Sequence, residues 1–245
     1  MLACGLVAFV VASNVSQVNL TNRAASTVPR AAAPSPTPPS MQDVGRDALT
    51  RVVTVEAERT SDESLGTGWL IDSHCDYVTN AHVVHGEQAV RITDRTDHVH
   101  DAVVAGIDEA DDIAVVHCTD GYSPGAPLPL DGNTINTSPL AVVVIASSRA
   151  TGQNDITLET ITAVHQDVPL ASTDQRSDPS APTLYHDMLD LTGNKVYQGN
   201  SGGPLLDPGG RVVGILTLSN PDIAEAYAIP LSRVLAELTT FEAKA

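Results

Sequence analysis

Aromatic side chains are scarce in this chain: one Trp, five Tyr and two Phe make up 3% of 245 residues. Any core must therefore be built from Val, Ile, Leu and Ala. Cations are scarce as well, with 13 Lys and Arg against 30 Asp and Glu, a net charge of −17 at pH 7. A sequence-independent nucleic-acid binder needs the opposite balance, so that class is disfavoured. An acidic body is also repelled by anionic lipid heads. No apolar run reaches the 18 or so residues of a membrane span. Cysteine is limited to Cys4, Cys75 and Cys118.

What is present excludes disorder throughout: 42% of residues are hydrophobic and 18% charged. The length allows one large domain or two small ones, with enough core for stability. Met1 to Ala12 (MLACGLVAFVVA) is apolar and uncharged, the length of a signal h-region, with small residues after it for cleavage. The basic n-region is missing, and the first cation is Arg23. Residues 1–20 are thus expected to be a signal or a membrane-anchor remnant, which places the protein outside the cytoplasm, secreted or tethered through its N-terminus. Residues 21–43 read as a linker, because Pro34, Pro36, Pro38 and Pro39 forbid helix and sheet. Arg23, Arg30 and Asp43 leave the first 45 residues at +1, so the remainder carries −18.

That remainder, 44–245, reads as mostly β. Short β-branched runs recur at 51–56, 67–71, 77–84, 89–93, 102–107, 113–117, 140–145, 156–164, 211–218 and 226–229, punctuated by Gly, Asp, Asn and Pro. Asp207-Pro-Gly-Gly210 predicts a hairpin turn. Helical spacing is confined to 231–243, where Leu231, Val234, Leu235 and Leu238 share a face. About ten strands and a terminal helix predict a sandwich or barrels. Ala171 to Ala181 reads as a long polar loop that is a candidate for a regulatory role, and the segment 171–186 is a candidate for occluding the site.

Three stretches are odd as structure alone: Gly66-Thr-Gly-Trp-Leu-Ile71 followed by Tyr77-Val-Thr-Asn-Ala-His82-Val-Val84, Asp108-Glu-Ala-Asp-Asp112-Ile-Ala-Val-Val116, and Gln198-Gly-Asn-Ser201-Gly-Gly-Pro-Leu205. A hydroxyl among glycines, a base to take its proton and an acid to orient the base are the parts of nucleophilic acyl transfer. Each stretch alone is weak; a lone His is usually packing, an Asp opening a strand usually a turn. Together with their flanks they are specific. Gly199-Asn-Ser201-Gly-Gly203 also matches the nucleophile elbow of α/β-hydrolases. That fold needs a helix after the serine and a later histidine, whereas a turn and strand follow here and the last histidine is His186. A subtilisin-like order would need an acid before His82; Asp72 or Asp76 has no supporting flanks.

These runs, with GNSGGPLLDPGGRVVGI after the serine and AYAIPL at 226–231, resemble the trypsin-fold serine proteases, most closely their HtrA/DegP-like branch. They also resemble actinobacterial membrane-tethered periplasmic proteases. The resemblance implies an all-β fold of two perpendicular six-stranded antiparallel β-barrels, at about 48–122 and 126–230, with a C-terminal helix at 231–243. It implies His82, Asp112 and Ser201 as catalytic residues and a protein or peptide as substrate, with no cofactor. Gly199, Asn200 and Ser201 would form the oxyanion hole. Leu216, Thr217 and Leu218 would pair with extended substrate. Lys195, six residues before the serine, would lie near the base of the primary pocket and disfavour a basic P1 side chain. Asp111 competes with Asp112 for the acid role; Asp112 is preferred because it directly precedes the Ile-Ala-Val-Val strand, as in the family pattern, and Asp111 is expected to be solvated. The branch usually adds a PDZ domain, and since the chain ends at Ala245 no PDZ function is carried over. Asn200 stands where trypsin activation needs an acid. A non-catalytic or latent protease-fold sensor is the alternative reading.

If the strands bearing His82 and Asp112 are antiparallel neighbours, their register brings Cys75 and Cys118 within a residue of facing each other. Export would favour a disulfide there. His98 and His100 share a strand face but lack a third ligand, and the acids at 108–112 fit no EF-hand loop, so no metal site is expected.

Overall fold

The computed structural model describes residues 38–58, 63–148, 153–170, 181–192, 199–220 and 225–242. Two closed six-stranded barrels account for most of them. Barrel one contains β1 (Val52–Glu58), β2 (Glu63–Leu70), β3 (Asp76–Thr79), β4 (Ala89–Thr93), β5 (Val99–Asp108) and β6 (Ile113–Cys118). Its strands close in the order β1-β2-β3-β6-β5-β4. Barrel two contains β7 (Leu140–Ser148), β8 (Gln153–Pro169), β9 (Leu184–Thr192), β10 (Pro204–Leu206), β11 (Val212–Asn220) and β12 (Glu225–Pro230). It closes in the order β10-β11-β12-β9-β8-β7. Every pairing between these strands is antiparallel.

Strand alternation builds three cores. Val53, Val55, Tyr77, Ala114 and Val116 fill barrel one. Val142, Val144, Ile161, Leu191, Leu205 and Ala228 fill barrel two. The opposite faces supply Val52, Trp69, Ile113, Val115, Val143, Ile145 and Ile215 to a third cluster that joins the barrels. A strand such as β6 is therefore buried on both faces, which is why it reads as a continuous apolar run rather than an alternating one.

Among the described residues three α-helices accompany the barrels: α1 (Met41–Ala48), which runs on into a 3-10 turn at Leu49–Arg51, α2 (Ala81–Val84) and α3 (Leu231–Glu242). α3 buries Leu231, Val234, Leu238 and Phe241 in the joining cluster. α1 begins inside the stretch read as linker. Ser40 caps it through the Asp43 N–H, and Asp43 returns a bond to the Ser40 N–H, a capping box formed immediately after the prolines end. The run 77–84, read as one strand, breaks at Asn80 into β3 and the helical turn α2. β9 is absent from the strands read in the sequence, because Leu184–Thr192 carries His186, Asp187 and Asp190 among its apolar residues. Residues 171–180, nearly all of the expected polar loop, and residues 1–37 lie outside the described residues.

In the β3–β6 ladder Asp76 faces His117 and Thr79 faces Ala114. Continued outward, the same register sets Cys75 opposite Cys118. They form a disulfide with Cα atoms 5.5 Å apart.

Candidate active site

His82, Asp112 and Ser201 arrive from three different local structures. His82 lies in α2, one residue past the buried Ala81. Asp112 closes the β5–β6 turn with φ 52°, a left-handed conformation that Asp tolerates better than most residues. Its side chain thereby turns back under α2, and the residue is 1% exposed. The His82 N–H donates to Asp112 Oδ1 at 3.0 Å. His82 Nδ1 lies 2.9 Å from Asp112 Oδ2 and 3.1 Å from Oδ1. The neighbouring Asp111 is bonded instead to Arg233 of α3. Geometry therefore separates the two adjacent acids.

Ser201 stands on a turn between Gly199, φ 102°, and Gly202, φ 90°. The turn is pressed against barrel one: the Thr67 N–H donates to the Ser201 carbonyl at 2.7 Å. A Cβ on Gly202 would lie 2.1 Å from the Thr67 carbonyl oxygen, so only glycine fits there. Gly202 N–H donates to the Leu216 carbonyl, and Leu216 N–H donates to the Gly203 carbonyl, each at 2.8 Å. Ser201 Oγ donates to the Thr217 carbonyl at 3.3 Å. Among the described residues, the N–H groups of Gly199 and Ser201 donate to no acceptor.

A buried polar scaffold ties these pieces together. Thr67 Oγ1 donates to the Gly199 carbonyl at 2.9 Å and accepts from the Ser147 N–H at 2.7 Å. Thr79 Oγ1 donates to the Thr67 carbonyl at 2.8 Å. Asn80 Nδ2 donates to the Asp112 carbonyl at 2.7 Å and to Thr217 Oγ1 at 3.1 Å. Asn200 Nδ2 donates to the Ser147 carbonyl at 3.3 Å, so its side chain faces inward. Tyr185 donates its phenolic O–H to Asp112 Oδ2 at 2.9 Å. Thr79 and Asn80 lie in the Thr-Asn-Ala-His-Val-Val run and Thr67 lies outside it; nothing in their spacing shows that Thr67 and Asn80 bridge the two barrels. Tyr185 has no sequence signal at all.

Leu216 is 1% exposed and spends both backbone groups on the serine turn, whereas Leu218 is half-buried. The Leu216 backbone groups are therefore not available to pair with a further strand. Lys195 lies outside the described residues. The two histidines weighed as a metal pair are separately engaged: His100 stacks on Tyr122 with ring centroids 3.8 Å apart, and His98 Nδ1 lies 2.8 Å from Thr96 Oγ1.

A profile of the trypsin-like peptidase domain matches residues 66–215. The chain belongs to that family. Within it, the sequence relatives are of the HtrA type. HhoA of Synechocystis sp. is 33% identical over 73% of this chain and 43% of its own length. The serine protease HTRA3 of Homo sapiens is 30% identical over 74% of this chain and 38% of its own length. This chain thus spans about two fifths of the curated relatives it matches. Among solved structures, the active form of the Rv3671c protease from M. tuberculosis shares the fold with a TM-score of 0.68 and 24% identity, over 80% of this chain and 82% of that one.

Proposed function

We propose that this protein is a serine endopeptidase that cleaves peptide bonds through a Ser201 acyl-enzyme, and that it works outside the cytoplasm. The observation that carries the reading is the buried Asp112 carboxylate held 2.9 Å from His82 Nδ1, beside a serine on a glycine turn. Asp112 selects the tautomer in which Nδ1 carries the proton, leaving Nε2 as the base. His82 Nε2 takes the proton of Ser201 Oγ as that oxygen attacks the carbonyl carbon. The oxyanion so formed is received by the N–H groups of Gly199 and Ser201, worth about 3 kcal/mol per donor. His82 then gives the proton to the departing amine, the C–N bond breaks, and the acyl-enzyme remains. Water, deprotonated by His82, releases the acid and restores Ser201.

Extended substrate would lie along β11 at Thr217 and Leu218, past the point where β10 stops pairing with it. The Cys75–Cys118 bond supports an oxidising compartment. Among the described residues no helix is long and apolar enough to cross a membrane. Attachment through residues 1–20 belongs to the same proposal.

The test is covalent labelling of the full chain with a fluorophosphonate probe, beside Ser201→Ala. Labelling is expected in the parent and absent in the variant. A cooperatively folded parent that does not label would overturn the reading and favour a latent or non-catalytic sensor.

A further inference from the structure

We infer that Tyr185 of β9 is a positioning residue for the His82–Asp112 pair, an inference that rests on the proteolytic reading above. The Asp112 carboxylate is buried, and a buried carboxylate needs donors on both oxygens. Oδ1 takes the His82 N–H at 3.0 Å. Oδ2 faces His82 Nδ1 at 2.9 Å and takes the Tyr185 O–H at 2.9 Å. The nearby Thr217 hydroxyl does not supply this second donor. It donates to the Ile215 carbonyl at 3.0 Å and accepts from Asn80 Nδ2 at 3.1 Å. The phenol reaches Asp112 from the other barrel: Tyr185 stands opposite Val168 in the β8–β9 hairpin, and its ring is packed in the joining cluster, 3% exposed.

Two effects follow. The phenol fixes the plane of the carboxylate, and so the direction in which His82 Nε2 points. It also draws charge from Oδ2, which limits how far Asp112 raises the basicity of His82. The charged groups around this pair are otherwise engaged. Asp111 is bonded to Arg233, Asp108 Oδ1 accepts the Ala110 N–H at 2.7 Å, and Glu109 pairs with His85 at 2.7 Å. The carboxylate of Glu237 lies within 4.8 Å of those of Asp108 and Asp111. None of these contacts involves the phenol, so removing its O–H leaves them in place.

The experiment is the rate of fluorophosphonate labelling against pH for the full-length parent and Tyr185→Phe, which keeps the ring and deletes one donor. The acid limb, where His82 must lose its proton, is expected to move up by about half to one pH unit, with a several-fold slower plateau. A purely structural role would lower the unfolding midpoint and leave the limb in place. If Tyr185→Phe does not unfold cooperatively, the parent grown with 3-fluorotyrosine replaces it. Its more acidic phenol donates more strongly, and the limb should move down. A limb that stays put in a labelling-competent protein overturns the assignment of Tyr185 alone. Absence of labelling in the parent overturns it together with the protease reading.

Discussion

Glu159 shows how one residue can oppose the fold that holds it. It lies on β8 opposite Val142, facing the interior of barrel two, and is 5% exposed with neither carboxylate oxygen hydrogen-bonded. Burial alone pushes its pKa up from 4.5 to about 7. The folded state therefore holds a proton that the unfolded chain releases between those values. Stability is lost as pH rises through that window. Glu159→Gln is expected to match the parent near pH 4.5 and to exceed it above pH 7 by something on the order of 2–3 kcal/mol. Urea unfolding of both proteins across that range measures the difference, and a gap that does not change with pH would contradict the prediction. At this scale the sequence singled out His82, Asp112 and Ser201 because the chemistry proposed for them requires particular neighbours. It was uninformative for Glu159, because an acid in a polar-looking strand reads as a solvated face until the partner strands are known.

At the scale of elements, the disulfide is the clearest local constraint. It closes a sequence separation of 43 residues and lies in line with the β3–β6 ladder. Replacing both Cys75 and Cys118 with Ser is expected to cost about 4 kcal/mol in the chain-entropy account. Chemical unfolding with and without reductant measures it; equal midpoints would show that barrel one gains nothing from the crosslink. The same ladder explains why the register was legible. Antiparallel pairing preserves index sums, so placing two strands side by side also aligns their ends. The helices were less legible. α2 is a single turn whose residues, Ala-His-Val-Val, carry strand propensity, and tertiary packing of Ala81, Val83 and Val84 decides its form. α1 was masked by the prolines before it, although Ser40 and Asp43 already spelled its capping box.

The whole chain carries a net charge of −17. A field of that sign would draw cationic peptides toward the proposed protease and would be screened by salt. Cleavage of a Lys- and Arg-flanked peptide is expected to slow several-fold between about 50 and 500 mM NaCl, with a neutral peptide of the same length little affected. Identical salt profiles for the two peptides would remove any steering role for the field.

The sequence by itself determined the β class, the terminal helix at 231–242, the cysteine pair, and the residues on which the chemistry is proposed to rest. Each of these is written in short-range pattern: strand alternation, helical spacing, and motifs whose flanks travel with them. Only the tertiary structure decided that Leu216 is consumed by the serine turn and that Tyr185 reaches the Asp112 carboxylate. Those are contacts between segments far apart in the chain. A phenol, a backbone carbonyl or a left-handed φ becomes meaningful only when two closed barrels have fixed what stands opposite it.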